Sequence, residues 1–213
     1  MFKSKAGTEF LDKMSWVADM LIFSILWFVF SIPIFTIGAA TRATYRAVQV
    51  RIQEGNGVVW SVFWRTFKSS FPQATVSWLI YLTVATIFGL NQMLLINHLA
   101  SSWLNYFSQI FLLVLLIMIA PILLMVLAYI SRFEDGLKTI WKNAFVLSMT
   151  HLKVMAYALF VTVVSVSVVY LVPALVIFVP AYSLTKICPR LETIFNQYTD
   201  EDLLENKNSN IAL

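Results

Sequence analysis

Charge is what this sequence has least of. Only 12% of its 213 residues are Asp, Glu, Lys or Arg, while 60% are hydrophobic; soluble domains hold about a quarter charged residues. The few charges are also clustered, with none in residues 20–41, 69–131 or 154–185. Cysteine is almost missing as well. Cys188 stands alone, which excludes an intramolecular disulfide and cannot by itself make a metal site. His98 and His151 have no cysteine cluster or carboxylate pair beside them, so no zinc site is expected. GxxxxGKS/T, GxSxG and HExxH runs are absent, which removes the common phosphate-binding, acyl-transfer and metalloprotease signals. A cleavable leader is not expected either, because the first apolar run starts late and ends without a small-residue cleavage site.

What fills the chain is long apolar sequence. A helix needs ~20 apolar residues to cross ~30 Å of hydrocarbon, so the first charge-free stretch holds one such helix and the second holds two with a short connection. The third is long for one span and short for two. The expected fold class is therefore all-α: a polytopic helical membrane protein with about five transmembrane helices, or four if the last apolar run is one span or re-entrant. Two amphipathic surface helices complete it. Spans are expected near 16–37, 73–96, 103–130, 153–171 and 173–187, within one membrane domain covering 1–191. Residues 1–13 read as a short interfacial helix or a frayed end. The acidic and then asparagine-rich residues 192–213 read as a disordered tail.

Residues 31–51 organise the reading, because there an apolar run meets Arg42, Arg46 and Arg51. Pro33 lacks an amide hydrogen and its ring crowds the preceding turn, so the helix should break near Ser31. It should restart at Thr36, whose hydroxyl can cap the new turn, and Gly38 completes the break. Ala39, Ala43 and Ala47 then recur every fourth residue, a smooth face that another helix can approach closely. Residues 55–57 (Gly-Asn-Gly) end this helix.

Residues 58–71 place Trp60, Phe63, Trp64, Phe67 and Phe71 on one side of a helix and Ser61, Arg65, Lys68 and Ser69 on the other. A tryptophan-rich face opposite a basic one suits a helix lying in the headgroup layer. Residues 131–153 repeat the pattern, with Leu137, Ile140, Trp141 and Ala144 opposite Asp135, Lys138 and Lys142. Aligning Phe63, Phe67, Lys68 and Phe71 with Leu137, Trp141, Lys142 and Phe145, and Pro33 with Pro121, suggests tandem units at 16–96 and 103–171.

Lys and Arg concentrate in 42–68 and 132–153 and are missing from 97–102. The positive-inside rule puts both basic segments in the cytoplasm and the amino terminus outside; it also explains the net charge of +4 without nucleic acid. The surface-contact residues are then Arg42, Arg46, Arg51, Trp60, Trp64, Arg65, Lys68, Lys138, Trp141 and Lys142, facing anionic lipid or a protein partner. Asp19 reads as a packing or snorkelling residue rather than a proton relay. His98, beside Asn91, Gln92 and Asn97, reads as an ordinary outer loop.

In residues 32–45 (IPIFTIGAATRATY) and 63–74 (FWRTFKSSFPQA) the chain resembles the YesL family of bacterial integral membrane proteins, a group of unknown function. The resemblance rests on Pro33, Thr36, Gly38 and Ala39 and on Phe63, Phe67, Lys68, Phe71, Gln73 and Ala74, and covers the first third of the chain. Family members are often encoded beside carbohydrate ABC transporters and glycan-degrading enzymes. The resemblance thus implies a multi-pass protein of the bacterial cytoplasmic membrane that supports sugar uptake, with no catalytic residues, cofactor or metal. The expected function is a non-catalytic accessory or regulatory protein contacting transporter components or lipid, with a homo-oligomer left open. The alternative is a small permease for a neutral or sugar-like solute, lined by Thr83, Thr86, Asn91, Gln92, Ser165 and Ser167.

Overall fold

The computed structural model describes residues 5–55, 59–97 and 103–211, with side chains for 10–55, 60–93, 103 and 106–198. The described elements are all helical: α1 (Lys5–Phe30), α2 (Ile37–Glu54), α3 (Val59–Ser69), α4 (Phe71–Asn97), α5 (Trp103–Arg132), α6 (Leu137–Thr150), α7 (Leu152–Leu171) and α8 (Val179–Ile211). Short 3-10 turns at Ile34–Thr36 and Pro173–Ile177 precede α2 and α8. His98 and its neighbours in 98–102 lie outside the described residues, as do Asn56 and Gly57.

Four stretches are long and apolar enough to cross a membrane: Phe10–Phe30, Phe71–Met93, Tyr106–Arg132 and Leu152–Leu171. Their large side chains are widely exposed, from Phe28 and Val29 through Leu79 and Ile80 to Ile110, Phe111, Val163 and Val164. Such a belt fits a lipid bilayer, because lipid and not water is the medium that apolar side chains can face at this density. Residues 173–187, expected as a fifth span or as part of a last span or re-entrant run, are not among these four stretches. Pro173 opens a 3-10 turn and α8 begins only at Val179, so the apolar part of α8 is short.

The least apolar long helix lies at the centre. α2 packs against α1, α3, α4, α5 and α8, with Ala39, Ala40, Ala43, Ala47 and Val48 buried. The alanine repeat thus serves close packing, as its spacing predicts. Gly38 shows why a side chain is excluded there: a Cβ would lie 2.5 Å from Trp78 Cβ and 2.6 Å from the Ala74 carbonyl oxygen. Trp78 Nε1 also donates to the Ile34 carbonyl at 2.7 Å, tying α4 to the break. Gly55, at φ +80°, ends α2 in a conformation that costs other residues strain.

The break after α1 falls where Pro33 places it, but Thr36 does not cap α2. Its hydroxyl turns back to the Phe30 and Pro33 carbonyls, both at 2.6 Å; the first is an acceptor at the end of α1, and the second also accepts from the Thr36 amide at 2.9 Å. Pro121, by contrast, sits inside a continuous α5, and only the four residues 133–136 separate α5 from α6. The second half of the chain therefore has no counterpart of α2. At the other end, residues 5–13, expected as part of a short interfacial helix or a frayed end, belong to α1, which runs unbroken from Lys5.

α8 reaches further than a tail beginning at Glu192 would allow. Leu191, Ile194 and Phe195 are core residues, Glu192 is only 7% exposed, and the helix continues to Ile211. The packed domain extends at least to Phe195. Ser24 on α1 secures the start of α8: its hydroxyl donates to the Phe178 carbonyl and accepts from the Ala181 amide, each at 3.0 Å.

Candidate functional site

The arginines read as surface contacts divide once the helices are packed. Arg42 is 6% exposed. Its Nη1 donates to the Thr66 carbonyl at 2.7 Å and its Nη2 to the Ile130 carbonyl at 3.1 Å. Both carbonyls belong to the last turn of a helix, α3 and α5 respectively, where acceptors lack an intrahelical donor and the helix dipole is negative. One guanidinium therefore caps two helix ends. Burial, with Arg46 nearby, lowers its pKa to about 10, so it keeps its charge at neutral pH. Its Nε has no hydrogen-bond partner.

Arg51 is also turned inward. Its Nε meets Asp19 Oδ2 at 2.5 Å, and Nη2 reaches Ser15 Oγ at 3.4 Å. Asp19 thus joins α1 to α2 through Arg51. Arg46 is partly buried and donates to Gln49 Oε1 at 2.6 Å. Neither Arg42 nor Arg51 forms a bilayer surface. Periodicity located the helix but could not show that helices close over its charged side.

α3 and α6 are amphipathic toward the bundle. Phe63 is fully buried, and the Phe30 ring lies 5.4, 5.5 and 5.0 Å from the rings of Phe63, Trp64 and Phe67. The aromatic face of α3 thus packs on the end of α1. Left outside are Arg65, Lys68 and Trp60, which is 53% exposed and stacked on Trp64. Lys68 Nζ sits 4.6 Å over the Trp64 ring, a cation–π contact. On α6, Ile140, Ala144 and Leu147 are buried, and Trp141 Nε1 donates to Ser77 Oγ on α4 at 3.2 Å. Trp141 is therefore also an internal contact, whereas Lys138 and Lys142 are exposed.

A cleft of about 710 Å³ opens where α4 begins and α5 ends. Four arginines, Arg42, Arg46, Arg65 and Arg132, line it with Thr66, Ser69, Ser70, Gln73 and Glu134. Arg65 is exposed and has no hydrogen-bond partner among the described residues. Arg132 is engaged by Glu192, Nη1 to Oε2 at 2.8 Å, and the other carboxylate oxygen accepts from the Tyr45 hydroxyl at 2.8 Å. That network joins α2, α5 and α8 behind the cleft. Burial, with Cys188 and Glu192 beside it, raises the Tyr45 pKa well above its usual value, and burial pushes the Cys188 thiol up to about 12. Sequence reasoning missed Arg132, Tyr45 and Glu192 as one group.

The residues read as a permeation path lie on α4 and α7. The Thr83 and Thr86 hydroxyls bond to carbonyls of their own helix, and Ser167 is exposed on α7. Ser165 meets Ser183 at 2.6 Å beside a mostly aliphatic pocket of about 260 Å³.

Residues 20–92, from within α1 through α4, match the family model described as Protein of unknown function, DUF624. The match includes α2, α3 and most of the cleft's cationic side chains. No curated protein and no solved structure matches the chain.

Proposed function

We propose that this chain is a non-catalytic accessory protein of a bacterial cytoplasmic membrane. Its basic end faces the cytoplasm and is the contact surface for anionic lipid and for components of a carbohydrate ABC transporter. The observation that carries this reading is the gathering of exposed cations at one end of the bundle. Arg65 and Lys68 on α3 lie just before α4 begins, and Lys138 and Lys142 on α6 lie just after α5 ends. Trp60 projects beside them, and an exposed tryptophan next to cations suits both a headgroup layer and a protein contact. The positive-inside rule gives that end its cytoplasmic side, and the resemblance to YesL proteins supplies the transporter as the partner class.

Crosslinking in intact cells, mild detergent extraction and mass spectrometry test it. Permease or nucleotide-binding subunits of a sugar transporter should be recovered with the wild type, and lost when Trp60, Lys68 and Lys142 are replaced by alanine together. Recovery of the lone protein after crosslinking would overturn the partner assignment.

A further inference from the structure

The cleft between α4 and α5 carries more positive charge than its neighbours neutralise. Arg132 is matched by Glu192, whereas Arg46 donates to a neutral glutamine and Arg65 has no partner among the described residues. Arg42 holds two uncharged carbonyls with its Nη atoms while its Nε stays unpartnered in the interior. Three guanidiniums are thus set against a single lining carboxylate outside the Arg132 pair, the exposed Glu134.

The backbone adds to this field. Ser70, Pro72 and Gln73 line the cleft at the start of α4, a helix of 27 residues, and a helix start presents the positive end of its dipole. The opposing negative ends of α3 and α5 are already covered by Arg42. Hydroxyls of Ser69, Ser70 and Thr66 lie on the same lining. We propose that this cleft binds a phosphate-bearing ligand, with Arg42 as the buried anchor and Arg46 and Arg65 as the accessible recognising residues.

Phosphate fits better than a simple carboxylate on two counts. A phosphate monoester carries roughly 1.5 to 2 negative charges near pH 7 and three strong acceptor oxygens, matching the two positive charges left after Glu134 is set against the three guanidiniums. Planar guanidinium forks bind such oxygens in pairs. The cleft volume, about 710 Å³, exceeds what a lone ion fills and suits a phosphorylated small molecule or a lipid headgroup. The proposal is independent of the contact-surface reading: replacing Trp60 removes the contact and leaves the cleft intact.

The test uses the full chain in nanodiscs of phosphatidylcholine alone, titrated with inorganic phosphate and with glycerol 3-phosphate and followed by calorimetry and thermal unfolding. A second arm adds phosphatidylglycerol or phosphatidylcholine to the detergent-solubilised protein and counts retained lipid by native mass spectrometry. Arg42 also caps two helices, so Arg46→Gln and Arg65→Gln are the deciding variants, with Lys153→Gln, exposed on α7 and outside the cleft, as the control. Binding should weaken at least tenfold in each deciding variant, with the unliganded melting temperature unchanged, and should survive in the control. Arginine-dependent binding of the soluble phosphates identifies a diffusible ligand; arginine-dependent retention of phosphatidylglycerol alone identifies a headgroup. Absence of binding in both arms, binding indifferent to both variants, or malonate binding as tightly as phosphate would overturn the proposal.

Discussion

Gly38 and Glu192 show how single positions set the packing. A methyl group at Gly38 would meet both Trp78 and the Ala74 carbonyl, so Gly38→Ala should cost about 1–3 kcal/mol through forced separation of α2 and α4. Thermal unfolding in detergent measures it, and an unchanged midpoint would mean the two helices part freely. Glu192→Gln keeps a hydrogen-bonding side chain for Tyr45 but strips Arg132 of its counter-charge. Breaking such a pair costs about 3 kcal/mol where both partners are buried, and less here because Arg132 retains some solvent access. Tyr45 supplies the pH dependence. Its folded-state pKa is raised, so its contribution to stability is whole below about pH 10, the unfolded value, and falls as pH rises through the folded value. The melting-temperature difference, wild type minus Tyr45→Phe, both containing Arg42, should stay constant from pH 8 to about pH 10 and fall toward pH 11. Cys188, buried with its thiol at about 12, should resist maleimide at neutral pH until the protein is unfolded in SDS.

Among the elements, the junction into α8 rests on one side chain. Ser24→Ala would leave the Ala181 amide without its partner and the Phe178 carbonyl with only the Tyr182 amide, at a cost of about 1–3 kcal/mol. Hydrogen exchange should rise over residues 178–184 and stay unchanged in α4; uniform exchange across the two would show that Ser24 does not hold this junction. Element boundaries were largely legible from the chain. Charge-free lengths marked the apolar helices, Pro33 marked the break, and the alanines at 39, 43 and 47 marked a face of close approach. The aromatic periodicity of α3 marked a helix, and it did not say which neighbour the aromatic face meets. Phe63 and Phe67 meet Phe30, and a stripe of aromatic residues looks the same whether a lipid or another helix covers it. Glu192 misled for a related reason: an acid at the edge of a polar segment reads as solvated, while its partners Tyr45 and Arg132 lie 147 and 60 residues away.

At the scale of the whole molecule, composition announced the apolar exterior, and nothing in composition announced a polar helix at the centre. The cleft was likewise hidden, because Arg42 is held by two backbone carbonyls and a carbonyl has no signature in sequence. Orientation has a direct check. With Cys188→Ser as background, Lys142→Cys should escape a thiol reagent that cannot enter intact cells and react once the membrane is permeabilised. Labelling in intact cells would reverse the assignment of sides.

The central position of α2 also bears on biogenesis. Arg42 needs Ile130 as well as Thr66, and Tyr45 needs Glu192, so the early helices leave the ribosome long before the groups that complete them exist. A nascent chain halted before Ile130 would hold Arg42 with one of its two carbonyls missing and Tyr45 without Glu192, a form that quality-control proteases and insertases can recognise. Assembly of this protein is therefore finished from its carboxyl-terminal half, and an amino-terminal fragment expressed alone should be short-lived.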